Sequence, residues 1–142
     1  MRADDVVGAL KAAAEPTRLR ILLLLADAEL SVKDLTRILG QSQPRVSRHL
    51  KLLHEAGLIE RSREGSWTYF TLGAGTATAA LARSLVGQVD MADGPVTRDR
   101  ERADALKAER ETAAQAYFAA NATEWDKIRS LHVDEAVVEA AM

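Results

Sequence analysis

The chain contains no cysteine and only three prolines, and aromatic residues make up 4% of its 142 residues. The lack of cysteine excludes disulfides, thiol redox sensing and any metal site built from thiolates. The longest hydrophobic run, Ile21–Ala26, is far too short to cross a bilayer and is followed directly by a charged residue. The N-terminus lacks the basic-then-apolar pattern of a secretory signal. We therefore expect a cytoplasmic protein that does not enter a membrane.

The formal net charge is −2, but the two halves of the chain differ in charge. Residues 1–72 hold 11 Lys and Arg against 9 Asp and Glu, whereas residues 73–142 hold 8 against 12. Within residues 41–63 there are five basic residues and two acidic ones. Affinity for phosphates depends on the local field and on counterion release rather than on the total charge of the chain. So small a basic patch favours DNA binding in which two copies of the site act together.

Prolines and capping residues predict two helices in the first 26 residues. Asp4 or Asp5 is expected to cap a first helix that runs to Ala14. Pro16 then lies in the first turn of a second helix, Thr17–Ala26, where its missing N–H group does no harm. This second helix is apolar on nearly every side, which predicts a central position in the core.

A third and a fourth helix follow closely. Ser31 is expected to cap the third, Val32–Leu39, with Asp34 as its capping-box partner, and a glycine ends it. The fourth runs from about Gln43 to Ala56, after a capping Ser42. Three apolar residues at helical spacing give this fourth helix its buried face: Val46, Leu50 and Leu53. Two helices joined by a short glycine-containing turn are typical of a helix-turn-helix.

Two extended runs, Leu58–Arg63 and Trp67–Leu72, surround a glycine-containing turn and predict a β-hairpin. We expect its aromatic residues Trp67, Tyr69 and Phe70 to pack against the helices. A fifth helix is predicted over about residues 76–89, and a sixth over about residues 97–121 after a breaker at 93–95. The predicted fold is mainly α with a β-hairpin wing: a winged helix-turn-helix.

The fourth helix carries the candidate DNA-binding residues. A helix in the major groove needs polar side chains in its first turns while its other face packs on the protein. Arginine bonds guanine in a bidentate manner, and glutamine bonds adenine. The predicted base-reading residues are Gln43, Arg45, Ser47 and Arg48. The predicted phosphate-binding residues are Ser42, His49, Lys51 and Arg63. The alternative is that these side chains form only a solvated helix face.

Several segments in order resemble one known family. Leu10–Leu22 is similar to the opening of the arsenic-repressor (ArsR/SmtB) winged-helix regulators, and Ser42–Leu53 resembles their recognition helix. Ala56–Ile59, Arg63–Gly65 and Tyr69–Leu72 resemble their wing. The resemblance covers about residues 6–87. It implies a homodimer that binds an imperfect palindromic operator in double-stranded DNA and represses until an inducer arrives. By match of position, it places Gln43, Pro44, Ser47 and Arg48 toward the bases.

The chain departs from the family's metal-sensing members. Arsenic-sensing members carry two cysteines in the third helix, where this chain has Ser31 and Lys33. Other members bind zinc through acidic and histidine side chains on the fifth helix, and residues 75–88 contain no Asp, Glu or His. We therefore expect no metal site of either kind, and an effector that is not a metal. His132, with Glu135 three residues later, provides too few ligands for a metal by itself.

The resemblance implies a dimer built from the first and fifth helices, and the residues of the fifth helix favour its part in this. Ala80, Leu81, Leu85 and Val89 form an apolar stripe that a chain of this size has little interior to cover. Residues 1–95 are accordingly predicted to form the DNA-binding and dimerisation domain. Residues 96–142 are predicted to form a long helix and a tail.

The tail resembles the lead-in segment of S-adenosylmethionine-dependent methyltransferases, over Ala116–His132. The glycine-rich turn that approaches the cofactor in those enzymes does not occur in these 142 residues. We therefore predict no catalytic residue in this chain and no enzymatic activity. Three interpretations remain open: a DNA-binding transcriptional repressor, the regulatory part of a methyltransferase fusion, and a plain helical interaction module. The tail also suggests S-adenosylmethionine or S-adenosylhomocysteine as an effector.

Overall fold

A computed structural model describes the backbone of residues 1–120 and the side chains of residues 1–115. Met1–Asp104 forms one compact unit, and the chain from Ala105 onward belongs to a second. No helix within the described residues is both long and apolar enough to cross a membrane. The helices and strands are α1 (Ala3–Ala13), α2 (Pro16–Asp27), β1 (Leu30–Ser31), α3 (Val32–Leu39), α4 (Gln43–Glu55), β2 (Ile59–Glu64), β3 (Trp67–Leu72), α5 (Ala77–Gly87) and α6 (Gly94–Ala120).

The capping signals of α3 are confirmed. The Ser31 hydroxyl accepts from the backbone N–H of Asp34 at 3.2 Å, and the Asp34 carboxylate accepts from the backbone N–H of Ser31 at 2.9 Å. The pair thus forms the predicted capping box. Gly40 ends the helix with φ of 66°, a left-handed conformation that costs glycine little because it has no Cβ.

Two helix starts differ from the prediction. Arg2 rather than an aspartate holds the N-cap position of α1, and its backbone N–H donates to the Asp5 carboxylate at 3.2 Å. Asp4 and Asp5 therefore lie inside the first turn, where acidic side chains complement the helix dipole. Two residues of the expected breaker at 93–95, Gly94 and Pro95, instead form the start of α6, which was predicted to begin near residue 97. Pro95 fits there because the first turn of a helix needs no N–H donor from it.

A three-stranded antiparallel sheet contains the predicted hairpin as strands β2 and β3. Their register pairs Ile59 with Leu72 at the base and Glu64 with Trp67 at the tip. Strand β1, which no pattern in the sequence predicted, pairs with the other edge of β3, with Leu30 opposite Phe70. A strand of two residues has no periodicity to detect, and only its pairing in the folded chain defines it.

The core lies around α2, as its composition predicted. All residues of Ile21–Leu25 are buried, and α2 contacts α1, α4, α5 and β3. The residues that close the core around it come from several elements, mainly Leu35, Ile38, Leu50, Leu53 and Leu58. Each such side chain contributes about 1.5–3 kcal/mol through removal of apolar area from water. A helix-turn-helix of α3 and α4 followed by a hairpin confirms the predicted winged helix-turn-helix.

The three aromatic side chains of the hairpin differ in burial. Phe70 is buried and Tyr69 is half-buried, in agreement with packing against the domain. Trp67 is 54% exposed, so the expectation that it packs against the helices is wrong. Trp67 pairs with Glu64 at the tip of the hairpin. The buried residues of the two strands lie toward the opposite end, at the base of the hairpin.

The first turns of α6 are attached to the helix-turn-helix. Asp99 forms an ion pair with Arg20 of α2, and the Arg102 guanidinium donates to the backbone oxygen of Ile38 at 3.0 Å. The predicted domain boundary after residue 95 stays a prediction. The methyltransferase-like segment lies mostly outside the described residues, and His132 lies wholly outside them.

Candidate nucleic-acid interface

Helix α4 is divided into a buried face and an exposed face. Val46, Leu50 and Leu53 are at most 2% exposed, and this confirms the predicted inward face. The predicted base-reading residues are all exposed on the other side of the helix: Gln43, Arg45, Ser47 and Arg48. Pro44 is exposed as well. All five residues are therefore exposed in the first two turns of α4.

The N-terminus of α4 is built by Ser42, whose hydroxyl accepts from the backbone N–H of Arg45 at 3.4 Å. Pro44 occupies the first turn, so the helix loses no hydrogen bond to it. Unpaired N–H groups at a helix start carry partial positive charge and favour an anion. Ser42 is thus a confirmed cap, and its phosphate contact stays a prediction.

Lys51 lies further along the exposed face of α4. Its side chain is 76% exposed, and its Nζ is 4.0 Å from a carboxylate oxygen of Glu55. Such an exposed pair is worth only about 0.3–0.5 kcal/mol, because water screens both charges. The ammonium group is consequently available to a stronger anion such as a phosphate.

His49 is packed against α2 rather than exposed with its neighbours. Its side chain is 14% exposed, and its Nδ1 is 3.3 Å from Nη1 of Arg18 and 3.9 Å from Oε2 of Glu15. Because a guanidinium can only donate, Nδ1 accepts, and the ring is the neutral tautomer with its proton on Nε2. Burial lowers the pKa of His49, and Arg18, Arg45 and Arg48 lower it further, against the opposing effect of Glu15. The phosphate contact predicted for His49 stays a prediction.

Residues at the start of α2 hold α4 in place, and the sequence analysis did not assign them this role. The Arg18 guanidinium donates to the backbone oxygen of Ala12 as well as to His49. The amide of Gln41, just before α4, donates to the hydroxyl of Thr17 at 3.0 Å. The sequence signal that could have found Thr17 and Arg18 is their position directly after Pro16, which begins α2.

Glu15 is the N-cap of α2 and part of the same contact region. Its carboxylate accepts from the backbone N–H of Arg18 at 2.8 Å. Burial raises the pKa of Glu15, but hydrogen bonds from backbone N–H groups and the nearby positive charges outweigh it, so the pKa lies below its usual value. An ionised Glu15 therefore faces His49 and Arg18 across the junction of α2 and α4.

The hairpin presents its polar residues to solvent. Arg63 is exposed near the tip of β2 and pairs in register with Thr68 of β3. Gly65 makes the turn with φ of 63°. Glu64 is exposed beside it and places a negative charge at the tip.

Ser31 and Lys33 stand where the arsenic-sensing proteins that this sequence resembles carry two cysteines. Ser31 is buried and engaged in the cap of α3, and Lys33 is exposed. Among the described residues, no group of three or more His, Cys, Asp or Glu side chains is arranged to hold a metal ion.

Comparison with known proteins finds a family match over the segment that contains the helix-turn-helix. The family described as bacterial regulatory protein, arsR family, matches residues 15–61. The biofilm growth-associated repressor of Xylella fastidiosa is 34% identical over 85 residues, which is 60% of this chain and 70% of that protein. The chain belongs to the arsR family.

A second relative of this arsR-family chain is the arsenical resistance operon repressor of Escherichia coli K12. It is 49% identical over 63 residues, which is 44% of the chain. The chain spans about half of that repressor's length, 54%. The shared segment is therefore a part of each protein rather than the whole of either.

The solved structures agree with the fold. The homodimeric winged helix-turn-helix DNA-binding domain from Mycobacterium bovis matches with a TM-score of 0.52 and 35% sequence identity. The match covers 58% of this chain and 75% of that one.

Proposed function

We propose that this chain is a sequence-specific DNA-binding transcriptional regulator that acts as a homodimeric repressor. The observation that carries the proposal is the division of α4, whose apolar face is buried while its polar first turns are exposed. A helix with this division can enter the major groove without unfolding any part of the domain. Two named relatives, in Escherichia coli and Xylella fastidiosa, are repressors, which supports the same activity here.

The proposed recognition combines base and phosphate contacts. We propose that the guanidinium groups of Arg45 and Arg48 bond guanine in a bidentate manner and that the Gln43 amide bonds adenine. The Ser47 hydroxyl is proposed to contact either bases or phosphates. Pro44 adds an apolar contact beside them. Ser42, His49, Lys51 and Arg63 are proposed to hold phosphates, which set the position of the helix but carry no sequence information.

The proposed dimer uses α1 and α5. Val7 and Leu10 of α1 are exposed, although each is a large apolar residue. Leu81 and Leu85 of α5 are only half-buried within the unit. A second copy would cover these side chains, and the homodimeric domain from Mycobacterium bovis supports this assembly.

The dimer determines the form of the operator. Two identical recognition helices related by a two-fold axis read two half-sites in opposite orientation. When they lie in successive major grooves, the half-sites are about one helical turn, roughly 34 Å, apart. The proposed operator is therefore an imperfect palindrome.

The proposed effector is not a metal. In this family the arsenic-sensing members use two cysteines in the third helix, and the corresponding side chains here are a capping serine and an exposed lysine. A hydroxyl already bonded to the backbone and an ammonium group are both unsuited to bind a soft cation. A small organic molecule is the class that we propose to release the repressor.

Selection from random duplexes with the full 142-residue chain tests the proposal. The expected result is an enriched palindrome that binds in the nanomolar range, about 10³-fold or more tighter than random DNA. A reporter gene with this sequence across its promoter is expected to be expressed less when the chain is present. If selection enriches no shared sequence, sequence-specific binding is refuted and the helical interaction module is favoured.

A further inference from the structure

A cleft of about 420 Å³ lies between helix α4 and the β-hairpin. Its floor is apolar and includes Leu50 and Phe70, both of which are buried. Its rim is polar, with Lys51 and His54 on the helix side and Arg61 on the hairpin side. All three rim side chains belong to exposed residues.

The register of the hairpin explains why Arg61 points toward the helix. Arg61 lies opposite Phe70 in the antiparallel pair, so the two side chains project from the same face of the sheet. Phe70 is buried and lines the cleft, so this is the face that meets the domain. Trp67 and Ser62 project from the other face, since side chains alternate along a strand.

The helix side of the cleft follows from helical spacing. Ser47, Lys51 and His54 recur at intervals of four and three residues, which places them in one row on α4. All three line the cleft. The row therefore continues the base-reading face toward the hairpin.

The charge of the cleft is positive on balance. Lys51 and Arg61 supply two basic side chains, and His54 adds an imidazole that can donate a hydrogen bond. Glu55 also lines the cleft, but it is exposed and 4.0 Å from Lys51. The single carboxylate of Glu55 is therefore outnumbered by the hydrogen-bond donors of Lys51, His54 and Arg61, which favour an anion.

We propose that this cleft binds a backbone phosphate of the DNA strand that separates the major groove from the adjacent minor groove. In the proposed complex α4 lies in the major groove and the hairpin beside it approaches the adjacent minor groove. The sugar–phosphate strand between the two grooves would then pass over the cleft. Lys51 and Arg61 contact the phosphate from its two sides, and His54 donates to it from the helix. The proposal rests on the proposed function and adds Arg61 and His54 to its phosphate-binding residues.

Arg61→Gln is the variant that tests the cleft, with Arg98→Gln as its matched control. Arg98 is exposed near the start of α6, so the control removes the same charge elsewhere. Binding of the full chain to the selected operator and to a random duplex is measured over a series of salt concentrations. Arg61→Gln is expected to weaken both duplexes by the same factor and to make the logarithmic salt slope shallower by about 1. Arg98→Gln is expected to leave both quantities at the wild-type values.

The results separate the possible failures. If the wild-type chain binds no duplex, the proposed function itself fails. If the wild-type chain binds DNA but Arg61→Gln behaves like Arg98→Gln, the cleft proposal is overturned while the proposed function stands. Lys51→Gln and the double variant with Arg61→Gln provide a further check, because two side chains on one phosphate have non-additive effects. Additive penalties count against a shared phosphate.

Inorganic phosphate distinguishes a free anion from the DNA backbone as the source of the phosphate group. Its binding is followed through the chemical shifts of the His54 ring in the wild-type chain. We expect no saturable binding of the free ion below the millimolar range. Submillimolar binding of the free ion, together with unchanged DNA affinity in Arg61→Gln, would overturn the proposal and indicate a small-anion site.

Discussion

Arg20 of α2 and Asp99 of α6 form an ion pair through two hydrogen bonds, with Nε 2.7 Å from Oδ2 and Nη2 2.7 Å from Oδ1. Asp99 is 3% exposed, so its carboxylate is almost completely removed from water. These hydrogen bonds raise the pKa of Arg20 above its already high usual value. The pair joins the helix at the centre of the core to the first turns of the helix that follows the winged domain.

The first prediction concerns the stability provided by this pair. Arg20→Ala leaves the Asp99 carboxylate buried without its partner and is expected to lower the free energy of unfolding by roughly 3–5 kcal/mol. Arg100→Ala is the control, because Arg100 pairs with Asp27 at 4.0 Å between two exposed side chains. Its expected cost is below about 1 kcal/mol. Urea denaturation measures both values, and equal costs for the two variants would contradict the prediction.

The second prediction separates base reading from phosphate binding on α4. Arg48→Ala is expected to cost about 1–3 kcal/mol on the operator and to relax the preference at one base pair. Lys51→Ala is expected to weaken operator and random duplexes by the same factor and to flatten the salt dependence. Fluorescence anisotropy with both duplexes measures these changes. Unchanged operator preference in Arg48→Ala would show that the base-reading surface lies elsewhere.

The third prediction is a pH dependence of stability that arises from His49. Burial and neighbouring arginines lower its pKa in the folded chain below the usual 6.5. As the pH falls below about 6.5, the unfolded chain takes up the proton first, so the free energy of unfolding decreases. The contribution is fully present above pH 6.5 and is lost as the pH falls toward the lowered value.

His49→Gln removes this titration and is expected to flatten the dependence of the free energy of unfolding on pH below about pH 6.5. Urea denaturation of both chains at several pH values gives the difference, which isolates the contribution of position 49. Parallel curves for the wild type and His49→Gln would be incompatible with a lowered pKa at this position.

The fourth prediction concerns the dimer. Leu85→Glu places a charge on the half-buried stripe of α5 and is expected to convert the dimer to a monomer, since an unpaired charge is costly to bury. Loss of the second half-site contact should weaken operator binding by at least about 10²-fold. Trp67→Glu is the control, because it makes a comparable change at an exposed residue of the hairpin. Sedimentation velocity that shows the same dimer in all three chains would refute the assignment of α5.

The sequence predicted elements with local signals well and elements without them poorly. Ser31, Asp34 and Gly40 predicted both ends of α3, since capping depends on residues within one turn of each other. Strand β1 was missed because two residues contain no period, and it exists through its pairing with β3. Trp67 was expected to be packed on its chemical character alone, whereas its position near the hairpin tip leaves it exposed.

The candidate site divides in the same way. The exposed residues Gln43, Arg45, Ser47 and Arg48 follow from helical periodicity and from an apolar row that must face inward. The position of His49 could not be predicted, because its contacts with Glu15 and Arg18 join residues more than 30 positions apart. The register of the hairpin placed Arg61 opposite Phe70, and it is this pairing that sets Arg61 beside residues of α4.

Local signals in the sequence alone determined the helix-turn-helix, the hairpin and the polar face of α4, because each depends on residues close together in the chain. Tertiary structure decided which polar side chains remain free for a ligand and which are used within the protein. It engaged Nδ1 of His49 with Arg18 of α2, which leaves only Nε2 for a ligand, and it buried Asp99 beside Arg20. The physical reason is that burial and charge pairing depend on neighbours from distant segments, which only the folded chain brings together.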